Sequence, residues 1–182
     1  CTPFDTNWLS KLINLGVKRL KAGSGDLTNL PLLGSFSKTG LPIILSTGMG
    51  NLEEVGDAVT HIRRSGDSKI YLMQCTSLYP APVDTLNLKA MTTMREHFGL
   101  PVGFSDHSIG YHVTLASVAL GAEMIEKHLT LDRTLPGPDH AASLEPAEFA
   151  TMVKQIKDVY QSLGHGRKEP HPDELDTATV VR

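Results

Sequence analysis

At 182 residues, with 40% hydrophobic, 20% charged and 5% aromatic residues, the chain has the size and balance of one ordinary globular domain. A formal net charge of -3 argues against a nucleic-acid partner held by a basic stripe, and no apolar run approaches the ~20 residues of a membrane span. Two cysteines without a CxxC pair exclude a disulfide framework, and residues 1–5 lack a signal-peptide pattern, so a cytoplasmic location is expected.

In chain order, Trp8, Leu9, Leu12, Ile13 and Val17 form the apolar face of a first helix, which accounts for Trp8 by packing. A strand at 19–23 and a short helix at 30–36 follow, then a strand at 42–47. Leu52, Val55, Val59 and Ile62 line a second amphipathic helix opened by Asn51 as N-cap. Strands at 69–75, 101–105 and 122–128 alternate with less regular helices at 85–98 and 110–120, each strand apolar, β-branched and edged by Gly or Pro. The last helix carries Phe149, Met152, Val153, Ile156, Val159, Tyr160 and Leu163, with Pro146 in its first turn and Gly164 as its stop. Beyond it the sequence turns polar, and 167–182 reads as a linker or tail.

Alternating strands and helices predict βα units on a parallel sheet. Such a sheet stays open and doubly wound or closes into a (β/α)₈ barrel. No GxGxxG follows a strand, and polar residues gather after every strand rather than at one switch point, which favours the barrel's catalytic face. A whole barrel needs eight strands and ~250 residues. The expected fold class is therefore α/β, a TIM barrel represented by its C-terminal five strands and their helices over residues 1–166.

The chemistry-bearing residues lie at the strand ends. Lys21-Ala22-Gly23-Ser24-Gly25-Asp26 offers an ammonium and a Gly-flanked serine, a nest for a phosphate or carboxylate, or else an ordinary Gly-rich turn. Ser46-Thr47-Gly48-Met49-Gly50 leads into a helix, where hydroxyls serve anions or act as N-caps. Two prolines stiffen the loop that presents Tyr79, and Cys75 reads as a buried strand residue rather than a nucleophile. Ser105-Asp106-His107 and Glu126-Lys127-His128 end adjacent strands. Alternation puts Ser105 with His107, and Glu126 with His128, on one face each, so the two imidazoles are candidate ligands of one divalent metal. Glu126 is then a third ligand or an outer-shell orienter, and the alternative is two unrelated histidines capping strands. Asp139 and His140 lie in a Pro- and Gly-rich loop aimed back over the mouth, where Asp139 meets a sugar hydroxyl or closes an Asx turn. The remaining histidines read as surface or helix residues.

The ordered run TPFD, KAGSGDLTNLPLL, ILSTGM, LMQCTSLYPAP, VGFSDHSIG and IEKHLTLDRTLPGPDHAASLEP closely resembles the sialic acid (N-acetylneuraminate) synthases and their legionaminic and pseudaminic acid synthase relatives. The resemblance spans residues 2–166. It implies a barrel that condenses phosphoenolpyruvate with N-acetylmannosamine, or a related 2-acetamido sugar, and releases phosphate. It also implies a divalent metal, Mn²⁺ or Mg²⁺, on His107 and His128. By the same resemblance Lys21, Ser24, Ser46 and Ser105 cradle phosphoenolpyruvate, with Ser77 in a slot that holds Asn in some members. Tyr79 then lies between the two substrates, Asp139 contacts the sugar, and Asp26 is a proton-transfer candidate. The family's first three strands and its small C-terminal antifreeze-like domain, which reaches across a homodimer, have no counterpart here, so this stretch alone is expected to be inactive.

Overall fold

The computed structural model describes residues 1–181. Five strands form one parallel sheet in sequential order: β1 (Leu20–Ala22), β2 (Ile43–Ser46), β3 (Ile70–Cys75), β4 (Val102–Asp106) and β5 (Ile125–Lys127). Consecutive strands are neighbours throughout, and the sheet curls into part of a barrel with helices on its convex face. Strand positions agree with the sequence reading to within one residue, except at the start of β5. There Gly121 at φ 85° turns the chain, and Gly121 and Ala122 donate back to Val118 and Ser117.

The helices are α1 (Thr6–Asn14), α2 (Leu30–Ser37), α3 (Leu52–Ser65), α4 (Ala90–Phe98), α5 (His112–Ala119), α6 (Pro146–Ser162) and α7 (Leu175–Val181). The Asn51 cap of α3 is present as a reciprocal capping box. Glu54 N–H donates to Asn51 Oδ1 at 2.9 Å, and Asn51 N–H donates to Glu54 Oε2 at 2.8 Å. Glu53 and Glu54 at its start and Arg63 and Arg64 at its end complement the helix dipole. Helix α4 starts later than the sequence suggests, because Asn87 takes φ 46° and the chain before it spends Val83–Thr85 in a 3₁₀ turn. The tail also departs from a plain linker. His171 and Glu174 cap a 3₁₀ turn at Pro172–Glu174 that runs into α7, a helix with no buried residue. Trp8 is a further correction, being 53% exposed with the Lys11 ammonium 4.4 Å over its ring, while α1 buries Leu9.

The period-2 alternation of the strands sorts the side chains into two sets. Leu20, Ala22, Ile43, Leu45, Ile70, Leu72, Val102 and Phe104 point toward the helices and form the core with Phe36, Val55, Val59, Ile62 and Met91. Residues of the opposite parity, including Lys21, Ser46, Cys75, Ser105 and Glu126, line the concave side. At the end of β4 and β5 the helix-facing set turns charged. Asp106 pairs with Lys127 at 3.4 Å, both side chains fully buried, and is opposite it in register.

Every acceptor of that carboxylate is used. Ser108 N–H and Ser108 Oγ donate to Oδ1, Thr114 Oγ of α5 donates to Oδ2 at 2.6 Å, and Lys127 also donates to the Ser108 carbonyl. Burial pushes the Lys127 ammonium below its ordinary range, and the charge of Asp106 opposes that shift. A buried pair tolerates joint replacement far better than the loss of one partner, which leaves an uncompensated charge. Lys127→Met is accordingly expected to lower stability by about 3–5 kcal/mol, and Asp106→Asn combined with Lys127→Met to recover most of that loss. Urea denaturation checks both, and a single-variant loss within about 1 kcal/mol of zero contradicts the buried-pair account.

Candidate active site

The strand ends of the concave face open onto a cleft of about 310 Å³. Three layers of chemistry meet in it. Ser24, Ser46, Ser77 and Ser105 supply hydroxyls, Lys21 supplies the ammonium, and His107, His128 and Tyr79 supply rings.

The hydroxyl side is built around Gly48. Its N–H donates to Ser24 Oγ at 3.1 Å, and Ser24 Oγ lies 3.2 Å from the Cys75 thiol. A Cβ at Gly48 would run into Ser77 Oγ and come within 2.8 Å of Ser24 Oγ, so glycine alone lets the backbone approach the serines this closely. Met49 beside it holds φ 67° and leaves its side chain exposed over the cleft. Ser46 is 2% exposed, and among the described residues its Oγ is the buried side-chain polar atom without a hydrogen-bond partner. Such an atom costs free energy unless something satisfies it, and a ligand oxygen in the cleft would do so.

The ring side follows from strand register. Ser105 of β4 is opposite Glu126 of β5, and His107 and His128 each follow two residues later on the same face. Their ring centroids are 5.3 Å apart at 80°. Metal–imidazole bonds are about 2.1 Å long, so that spacing would admit one shared divalent cation. His107 Nδ1–H donates to the Thr76 carbonyl at 2.9 Å, an assignment that leaves the Nε2 lone pair free as a ligand. Burial, foremost, and the neighbouring His128 hold the His107 imidazole below its ordinary 6.5, which favours the neutral, ligating form; the Thr76 bond, Glu126 and Asp106 pull the other way. Tyr79 lays its ring 4.3 Å from that of His107 and 5.8 Å from that of His128. Its phenol is raised above 10, mainly by burial and then by Cys75, Asp139 and Glu126, so it carries its proton at neutral pH.

The predicted site residues are gathered with one exception. Lys21, Ser24, Ser46, Ser77, Tyr79, Ser105, His107 and His128 all line the cleft, and Asp139 stands at its mouth with Oδ2 3.8 Å from His128 Nδ1. Asp26 does not. It lies in the 3₁₀ turn after β1, accepts from Asn29 Nδ2 at 3.2 Å, and is outside the cleft lining. His140 is held away by Thr130 Oγ at 2.7 Å. Glu126 bonds Ser105 and Lys21 through its carboxylate, and Ser105 Oγ lies in turn 3.4 Å from His107 Nε2. Among the described residues no third His, Cys, Asp or Glu joins the imidazoles in a three-ligand group. Cys75, read from sequence as a buried strand residue, is buried but turns its thiol to the cleft wall, and the Gly48-Met49 turn read only as a helix lead-in lies against the cleft serines. Strand parity carried the signal for Cys75, which shares its face with Ser105 opposite it in register.

Strand ends that bring together an ammonium, an unpartnered hydroxyl and two imidazoles on a βα half-barrel have the make-up of a barrel enzyme's catalytic face. The NeuB family model matches residues 1–168, and the chain belongs to that family. It is 45% identical over 183 residues to the N,N'-diacetyllegionaminic acid synthase of Campylobacter jejuni, an alignment covering 100% of this chain and 55% of that protein. With the human N-acetylneuraminate-9-phosphate synthase it shares 38% over 165 residues, 90% of this chain and 46% of that one. The crystal structure of the N-acetylneuraminic acid (sialic acid) synthetase from Leptospira borgpetersenii, in complex with citrate, superposes with a TM-score of 0.90 at 40% identity. That match covers 98% of this chain and 62% of the other. The chain spans about half the length of the curated relatives it matches.

The lowered His107 value has a measurable consequence. Its pKa is lower folded than unfolded, so acidification below 6.5 charges the unfolded chain first and costs stability until the folded value is passed. In metal-free protein the His107 ring resonances are expected to titrate with a midpoint below 6.5, and a midpoint at or above that value contradicts the assigned environment.

Proposed function

We propose that this chain carries the phosphoenolpyruvate- and metal-binding face of a nonulosonic acid synthase. The reaction is the condensation of phosphoenolpyruvate with N-acetylmannosamine, or a related 2-acetamido sugar, and water, giving N-acetylneuraminate or a related nonulosonic acid and phosphate. The observation that carries this reading is the unpartnered Ser46 hydroxyl, buried beside Lys21 and across the cleft from two imidazoles.

The residues divide the work by chemistry. Lys21, Ser24, Ser46, Ser77 and Ser105 bind the phosphate and carboxylate of phosphoenolpyruvate, orient its methylene carbon and neutralise charge on the departing phosphate. His107 and His128 fit a divalent cation, Mn²⁺ or Mg²⁺, which when bound supplies Lewis acidity toward the sugar carbonyl. Tyr79, protonated and packed against both imidazoles, covers the side where the substrates meet and keeps water from it. Asp139 at the mouth accepts from a sugar hydroxyl. The whole protein is proposed to work as a homodimer. A legionaminic-type product is the second reading, favoured by 45% identity to the legionaminic acid synthase against 38% to the human enzyme.

A phosphate-release assay on the full-length protein tests this. Release is expected to require phosphoenolpyruvate, a 2-acetamido sugar and a divalent cation together, and to stop with EDTA. His107→Ala is expected to lose at least the roughly 10–100-fold that removing an outer-shell partner alone costs. A panel of 2-acetamido sugars ranks the two readings. Release without sugar, or unaffected by EDTA and His107→Ala, contradicts the proposal.

A further inference from the structure

A carboxylate stands in the middle of a cleft otherwise furnished for anions. Glu126 Oε1 accepts the Ser105 hydroxyl at 2.7 Å and lies 3.2 Å from Lys21 Nζ. One oxygen thus takes the Ser105 hydroxyl hydrogen and one of the three N–H donors of Lys21, on the side an anionic ligand would approach. Lys21 is the ammonium of the cleft lining and Glu126 its carboxylate, so the formal charges of the two cancel. Ser46 provides the contrast, since its hydroxyl has no such occupant. The pair also differs from Lys127 with Asp106, whose side chains are both 0% exposed. Lys21 and Glu126 are 21% and 36% exposed, open to the cleft and able to rearrange.

A purely supporting carboxylate would be expected to orient the ammonium while leaving the serine free. Here both are taken at a single point, the position of one ligand oxygen. Neither imidazole is hydrogen-bonded to Glu126 directly; its contact with them runs through Ser105, whose Oγ lies 3.4 Å from His107 Nε2. We propose that Glu126 is a resident counter-anion and an affinity-determining residue. It holds Lys21 and Ser105 in the empty cleft and gives them up to a phosphate or carboxylate oxygen of the substrate. The cleft therefore binds anions more weakly than its donors allow, and releases them readily. This inference rests on the anion-binding reading of the cleft.

The test is calorimetric titration of EDTA-treated full-length protein with inorganic phosphate and with phosphoenolpyruvate. Glu126→Gln keeps an acceptor for Ser105 but removes the charge beside Lys21. Both dissociation constants are expected to fall on the order of tenfold, a part of what one screened charge at this distance contributes. Glu126→Ala is expected to move them the same way, opposite in sign to the loss of a merely positioning contact. Unchanged or weaker binding in the variants overturns the proposal while leaving the anion site intact. Failure of both variants to fold makes the carboxylate structural and overturns it too. If the unaltered protein binds neither anion at millimolar concentration, the anion-binding reading itself fails and the proposal falls with it.

Discussion

The ion pair of Lys127 with Asp106 is the contact on which the site's geometry depends. Both residues immediately precede a metal-ligand candidate, on the opposite face of the sheet from it. The pair therefore fixes the height of β4 against β5 from the helix side while His107 and His128 project from the other. A slip of one residue in either strand would send the histidine to the helix layer and bring the charge into the cleft. A buried pair adds little net stability over apolar residues of the same volume, but it strongly disfavours arrangements that separate its members. At this position that property selects the one register in which two imidazoles face each other 5.3 Å apart.

Function follows from the contrast between the two faces. On the convex side apolar residues and satisfied polar groups form the core. On the concave side the chain leaves Ser46 unpartnered, packs the Gly48 backbone so closely against Ser24 and Ser77 that no side chain fits there, and sets Lys21 against Glu126 where both are partly solvated. Polar groups held in place yet incompletely satisfied are what a polar ligand binds most strongly, because at an unpartnered group such as Ser46 Oγ it replaces no internal bond.

Much of this was legible in the sequence, for physical reasons that differ by element. The strands announced themselves through short apolar runs bounded by Gly and Pro, and Asn51 marked a helix start as an N-cap residue ahead of an apolar period. The histidine pair was legible because period-2 parity and strand adjacency are fixed by backbone geometry. Residues whose roles depend on side-chain reach were not. Glu126 reads as a third ligand or an outer-shell orienter beside His128, and its contact with the long Lys21 side chain from β1 has no sequence signal. Asp26 follows a strand end just as Ser24 does, but the 3₁₀ turn directs it to Asn29. Trp8 matched a helical apolar face, although a face is buried only where another element covers it, and α1 packs chiefly through Leu9.

The central claim is that one cation and one phosphate-bearing ligand share the concave strand ends. Anomalous diffraction from crystals soaked in Mn²⁺ and phosphoenolpyruvate tests it most directly. The account predicts a manganese peak between His107 Nε2 and the His128 ring, with the ligand phosphate against Lys21 and the Ser46 hydroxyl. A manganese peak elsewhere, or phosphate density away from Lys21 and Ser46, would contradict it.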